Sequence, residues 1–312
     1  MVLPRSVPVA ASFAVGTLTA VQARINGQLA VELDNGLEAA VWSFGSGLVV
    51  LAVLAVVVPS IRRGVVRIPR AIRSGDLAWW QVLGGILGGF FVGVQTAAVP
   101  VLGVAVFTVA VVAGQSSNSL IVDRMGLGPA GKQAITRSRA ISAVLAVVAV
   151  TIAVSNRFAS GDFALLPVLL AFTAGVVIAV QQAINGRVAR AAQNPMSATF
   201  YNFVFGTLAL GAAFGVVWAA TDTAPTPLPP GPWWVYLGGV IGIAFIAIAA
   251  WAVPIVGVLL FAVVTIAGQL SGALLLDVIA PTAGTDLAIN LVLGVLLAFV
   301  AVAIAARGRR GS

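Results

Sequence analysis

Carboxamides, rather than charges, carry the chemical information in this chain. Gln22 and Asn26 stand four residues apart in an apolar run, and Gln181 and Asn185 repeat the pair. On a helix that spacing puts both side chains on one face. An amide offers two N–H donors and a carbonyl acceptor, a set that recognises polar solutes and performs neither nucleophilic attack nor proton relay. Gln115 and Gln269 each follow a glycine, and Thr108 and Asn118 fall on the face of Gln115. Gln95 shares another apolar run with Gln81 and Thr96, and Asn202 adjoins Tyr201, whose ring can stack on a planar or cationic solute. These eleven residues are the candidate substrate-binding set: Gln22, Asn26, Gln95, Thr108, Gln115, Asn118, Gln181, Asn185, Tyr201, Asn202 and Gln269. The competing reading is structural, because amides also tie neighbouring membrane helices together.

The composition excludes much else. With no Cys and no His, disulfides, thiol nucleophiles and His-based metal sites are ruled out, and no metal or cofactor is expected. Nine scattered carboxylates make a poor basis for a membrane enzyme acting on lipid-linked groups, which stays as a rival reading. Asp123 and Asp277 sit where apolar runs end, with Arg124 offering Asp123 an ion pair, and no carboxylate falls in the middle third of any run. That weakens a proton-exchange mechanism through such a group. Arg24 is the one base well inside a run; it can snorkel to headgroups or pair with Glu38.

The elements that must position these groups are membrane spans. Of 312 residues, 60% are hydrophobic and 8% charged, and the mean hydropathy is +1.10. A soluble fold with so little polar surface could not cover its core. The pattern predicts an all-α integral membrane protein with ten spans, near 7–31, 37–58, 77–98, 101–122, 138–155, 164–188, 196–219, 233–251, 254–276 and 287–306. An Arg-rich loop at 60–76 and a Pro-rich loop at 222–232 mark two breaks, and Pro100 and Pro254 are read as span starts. The first span resembles a signal peptide, but its repeated counterpart argues against cleavage.

The repeat is extensive. Gly16–Gly47 aligns without gaps on Gly175–Gly206, 159 residues on, with 12 of 32 positions identical. Trp79–Asp123 aligns on Trp233–Asp277, 154 residues on, with 20 of 45 identical. The chain therefore divides into five-helix repeats at 1–157 and 158–312, and an odd span count inverts the second relative to the first. With the N-terminus cytoplasmic, 15 of the 17 basic residues fall on the inner face and only Arg157 on the outer. The net charge of +8 is thus a topology signal and a contact for anionic lipid, and no nucleic-acid partner is expected. Overlapping small-residue steps at Gly84, Gly85, Gly88, Gly89 and Gly93 favour close packing or sliding inside the bundle; a homodimer seam is the lesser alternative to a monomer.

The doubled G-x5-Q-x3-N-G and AGQ-x-S…D segments (at Gly16–Gly27, Gly175–Gly186, Ala113–Asp123 and Ala267–Asp277) resemble the drug/metabolite transporter superfamily, and within it the YdcZ branch of inner-membrane exporters. The likeness covers nearly the whole chain, as a fused, ten-span form. It implies a ten-helix bundle with a central cavity in the bacterial plasma membrane, and the charge split puts both termini in the cytoplasm. It also implies alternating access but no substrate; the polar residues and the inverted half-sites together point to secondary-active export of a small polar or amphipathic metabolite. A channel or a non-transporting scaffold is the alternative.

Overall fold

The computed structural model describes residues 6–128, 131–132, 134–160, 165–221, 224–226, 231–256, 258–281 and 288–308. Eleven α-helices account for nearly all of them, and no strand occurs among the described residues. The first unit contains α1 (Ser6–Glu32), α2 (Gly36–Val57), α3 (Pro59–Ser74), α4 (Gly84–Leu102), α5 (Val104–Met125) and α6 (Arg137–Ser160). Then come α7 (Leu165–Ala192), α8 (Pro195–Thr221), α9 (Gly238–Val256), α10 (Val258–Ile279) and α11 (Ile289–Gly308). Single 3₁₀ turns, Trp79–Leu83 and Trp233–Leu237, lead into α4 and α9. Among the described residues eight helices are long and apolar enough to cross a membrane, and the α9 and α11 regions carry shorter apolar stretches at Trp233–Ala249 and Ile289–Ile304.

Local chemistry sets the ends. Asn35 caps α2, its side chain accepting from the Glu38 N–H at 3.0 Å. Asn194 caps α8 in the same way, accepting from Met196 N at 2.9 Å and Ser197 N at 3.2 Å. The residues just before these caps, Asp34 and Gln193, both have positive φ, 49° and 55°. The turn between α1 and α2 is therefore repeated, 159 residues on, in backbone as well as sequence.

Two boundaries differ from the sequence reading. The fourth helix runs through Pro100 and stops at Gly103, whose φ of 78° only glycine adopts without strain. Proline in a last turn removes one backbone bond at most, whereas the left-handed glycine turns the chain outright. The Arg-rich 60–76 segment is mostly helix rather than loop. Pro59 opens α3, Gly75 closes it at φ 82°, and Ile61, Gly64 and Ile68 are buried along one face. The Ser197 hydroxyl donates to the Ile61 carbonyl at 2.8 Å, and Tyr201 to that of Val65 at 3.3 Å, fastening α3 to α8.

The fifth helix is the centre of the bundle: every residue from Val104 to Gly114 is buried. Around it, α1 packs on α10, α5 on α7, α6 on α11, and α2 on α8. Backbones approach where glycine leaves room. A Cβ at Gly16 would overlap the Thr265 carbonyl of α10, and one at Gly175 the Val111 carbonyl of α5. Likewise Gly268 lies on the Phe13 carbonyl and Gly114 on that of Phe172; Gly239 lies on the Ser43 carbonyl and Gly85 on that of Asn202. Each of these contacts maps onto its partner by the 159- and 154-residue offsets. Outside, Val49, Val53, Val56 and Val57 of α2 and Leu208 and Val216 of α8 are bare apolar side chains, as lipid contact requires.

Candidate functional site

The structure gathers six of the candidate amides into two clusters, the first buried and the second partly so, each where a helix of one half meets glycines of the other. In the first, Gln22 of α1 donates to the Gly238 carbonyl at 2.7 Å, and Asn26 donates to Gln95 Oε1 of α4 at 2.7 Å. Asn26 is fully buried, and its Oδ1 has no hydrogen-bond partner among the described residues. In the second, Gln181 and Asn185 of α7 both donate to Asn202 Oδ1 of α8, at 3.0 and 3.4 Å.

The glycines of α4 and α9 make space for these amides. A Cβ at Gly238 would strike Asn26 Oδ1, and one at Gly242 would lie 2.7 Å from Gln22 Nε2. On the other side, a Cβ at Gly84 would lie 3.0 Å from Asn185 Oδ1, and one at Gly88 would strike Gln181 Nε2. The Gly84/Gly88 and Gly238/Gly242 steps thus serve two purposes: backbone contact with α8 or α2 through Gly85 and Gly239, and clearance for polar side chains. The third partners differ, Gln95 in one cluster and Asn202 in the other, so the amide pairs are symmetric and their environments are not.

The other candidates lie elsewhere. Gln115 of α5 donates to Gln182 Oε1 of α7 at 2.9 Å, and Asn118 to the Val176 carbonyl at 2.8 Å. Gln269 is half-buried in α10, and Thr108 is buried in the α5 core. Tyr201 is turned toward α3 and packs on Phe205 and Phe200 at 6.5 and 5.9 Å between ring centroids. Trp42 meets Tyr236 edge-on at 5.6 Å.

The charged candidates are structural fasteners. Asp277 is buried in α10 and accepts from Val104 N at 3.0 Å and Ala105 N at 2.7 Å, capping the start of α5, where Gly103 has no side chain to do so. Asp123 pairs with Arg139 at 2.5 Å. The Glu38 carboxylate takes both the backbone N–H and the hydroxyl of Thr226, each at 3.0 Å. Sequence reasoning missed Gln182, which was visible as the second half of a Gln-Gln pair. It also missed the capping by Asp277, for which no local signal exists, since its partner lies 173 residues away.

Compared with known proteins, the chain matches the profile of a family described as "Putative inner membrane exporter, YdcZ", over residues 7–152 and 166–304. The chain belongs to this family. As a member it is a multi-pass inner-membrane protein of the exporter class. No curated protein matches it. A solved structure described only as "Crystal structure of protein" superposes with a TM-score of 0.55 at 20% identity, covering 99% of this chain and 98% of that one. That likeness places the whole bundle in a fold already seen.

Proposed function

We propose that this exporter is a secondary-active transporter of a small polar or amphipathic metabolite. It works by alternating access between two inverted five-helix halves, 1–157 and 158–312, with ten spans and both termini in the cytoplasm. The observation that carries the reading is the reciprocity of the half-to-half contacts. Asn26 and Gln22 of the first half sit over Gly238 and Gly242 of the second, while Asn185 and Gln181 of the second sit over Gly84 and Gly88 of the first. Two equivalent seams, each polar and each floored by glycine, are what a protein needs to open one side and close the other in turn. Small residues let the helices slide past each other, and the cluster bond that crosses the halves, Gln22 to the Gly238 carbonyl, breaks at low cost, about 0.6 kcal/mol for an average interhelical bond in a membrane. The two family-matched segments, ending and starting close to residue 158, support the same division.

In this reading Gln22, Asn26, Gln95, Gln181, Asn185 and Asn202 hold the solute, and Gln115, Asn118 and Gln269 line the route, whereas Thr108 and Tyr201 serve the packing of α5 and α3. The spare acceptor at Asn26 Oδ1 favours a solute that brings a donor. The test is efflux. Cells expressing the chain should lower the internal level of at least one small polar metabolite and raise it outside against its gradient, and an ionophore that collapses the ion gradients should stop this. Mere equilibration of the solute would identify a channel, and no change in any metabolite would identify a scaffold.

A further inference from the structure

A second polar site lies outside the amide clusters, at the C-terminal turns of α7. A cavity of about 370 Å³ opens there, lined by Asp76, Gln81, Gly128, Gly131, Arg187 and Arg190 among others. Arg187 is fixed within it: its Nη2 donates to the Gly126 carbonyl at 2.6 Å. Its Nε is buried and has no hydrogen-bond partner among the described residues. Gly126 and Gly131 take left-handed φ of 69° and 73°, and the Lys132 stem packs against Gly126. The lining's carboxylate, Asp76, accepts from the Ser74 hydroxyl at 2.6 Å.

The repeat shows that this is specific to one end. Position by position, Arg187 corresponds to Gln28, Arg190 to Val31 and Gln81 to Val235. The matching end of α1 holds no cation from these positions, and the charges beside it are Glu32, Asp34 and Glu38. Loop topology explains why a base stands at the Arg187 end, since Arg and Lys count alike there. It does not explain a guanidinium held by a carbonyl inside a cavity with an N–H still to satisfy. A planar guanidinium fork matches the paired oxygens of phosphate and carboxylate. Three residues beyond Gln81, Gly84 lies under the Asn185 amide, so the cavity adjoins the α7/α8 cluster.

We propose that this cavity is an anion-recognising vestibule that receives the phosphate or carboxylate group of the transported solute, with Arg187 and Arg190 as its ligands. The proposal rests on the transport reading for its purpose, but its test does not. Calorimetric titration of inorganic phosphate and of succinate into the purified full chain, in phosphatidylcholine nanodiscs at fixed ionic strength, should show one saturable site. Arg187→Lys together with Arg190→Lys keeps the charge and the topology, and should weaken binding at least tenfold. Arg63→Lys on α3 should leave it unchanged. Nanodiscs containing phosphatidylglycerol should bind phosphate as well as those without it.

Equal affinity in the double variant, or no saturable binding in the native chain, would overturn the proposal. So would displacement of phosphate by phosphatidylglycerol, which would make the site a lipid-headgroup contact. A protein that binds phosphate through Arg187 yet moves no solute would refute transport and leave the anion site standing. An efflux-competent protein whose titrations ignore the double variant would do the reverse.

Discussion

Adding one methyl group at Gly239 should separate α9 from α2. The ideal Cβ would overlap the Ser43 carbonyl, and it would lie 2.7 Å from Gly47 N and 2.9 Å from Ser46 Oγ. Ser46 can rotate away, but the backbone atoms cannot. Restoring ordinary contact with Gly47 N alone requires a shift of about 0.7 Å, judged against a contact limit of 3.4 Å. Overpacking of this kind costs roughly 1–3 kcal/mol. Gly45 on α2 is the control, because a Cβ there meets nothing within 4 Å. Both changes bring the same helix-propensity gain of about 0.5–1 kcal/mol, so their difference isolates the seam. Gly239→Ala should be less stable than Gly45→Ala by roughly 1–3 kcal/mol in detergent unfolding, and Gly85→Ala, at the equivalent seam, should match Gly239→Ala. Equal stability of Gly239→Ala and Gly45→Ala would show that the helices do not approach as described.

Further outcomes follow from other contacts. Asn26→Leu strands the buried Gln95 carbonyl and should destabilise by about 1–3 kcal/mol, with Gln95→Leu added to it costing little more. Asp277→Ala uncaps α5 and should cost roughly 0.5–2 kcal/mol, and Asp277→Asn, which keeps an acceptor, clearly less; both are read by thermal melts. In intact cells an impermeant thiol reagent should label Ala224→Cys and spare Ser74→Cys, and the opposite pattern would invert the proposed orientation.

The helices were legible because a bilayer demands long apolar runs, and the charge breaks between them are sharp. The third helix was hidden by its five arginines, which read as a loop, although Ile61, Gly64 and Ile68 already carried helical spacing. Pro100 misled because proline disfavours helix interiors in general, whereas in a final turn Gly103 decides the end. The amides were legible as a set, since Gln22, Asn26, Gln181 and Asn185 recur at one offset. Their partners were not: Gln22 meets Gly238 from 216 residues away, and only the tertiary fold selects that glycine. Aromatic Tyr201 looked like a stacking platform, but its hydroxyl is engaged by α3, an element the sequence reading lacked. Arg187 and Arg190 counted as topology signals because a charge tally does not say which guanidinium faces a cavity.

The central claim is that a buried amide at the interface of the halves handles the solute. The most direct test compares untargeted metabolite profiles of cells and medium for the native chain and Gln181→Leu, matched for folded protein in the membrane. The account predicts that the native chain moves at least one small polar metabolite from cell to medium, and that Gln181→Leu, folded to nearly the same amount, leaves that metabolite inside. Equal efflux by the two would reduce the amide clusters to helix-to-helix fasteners and contradict the account.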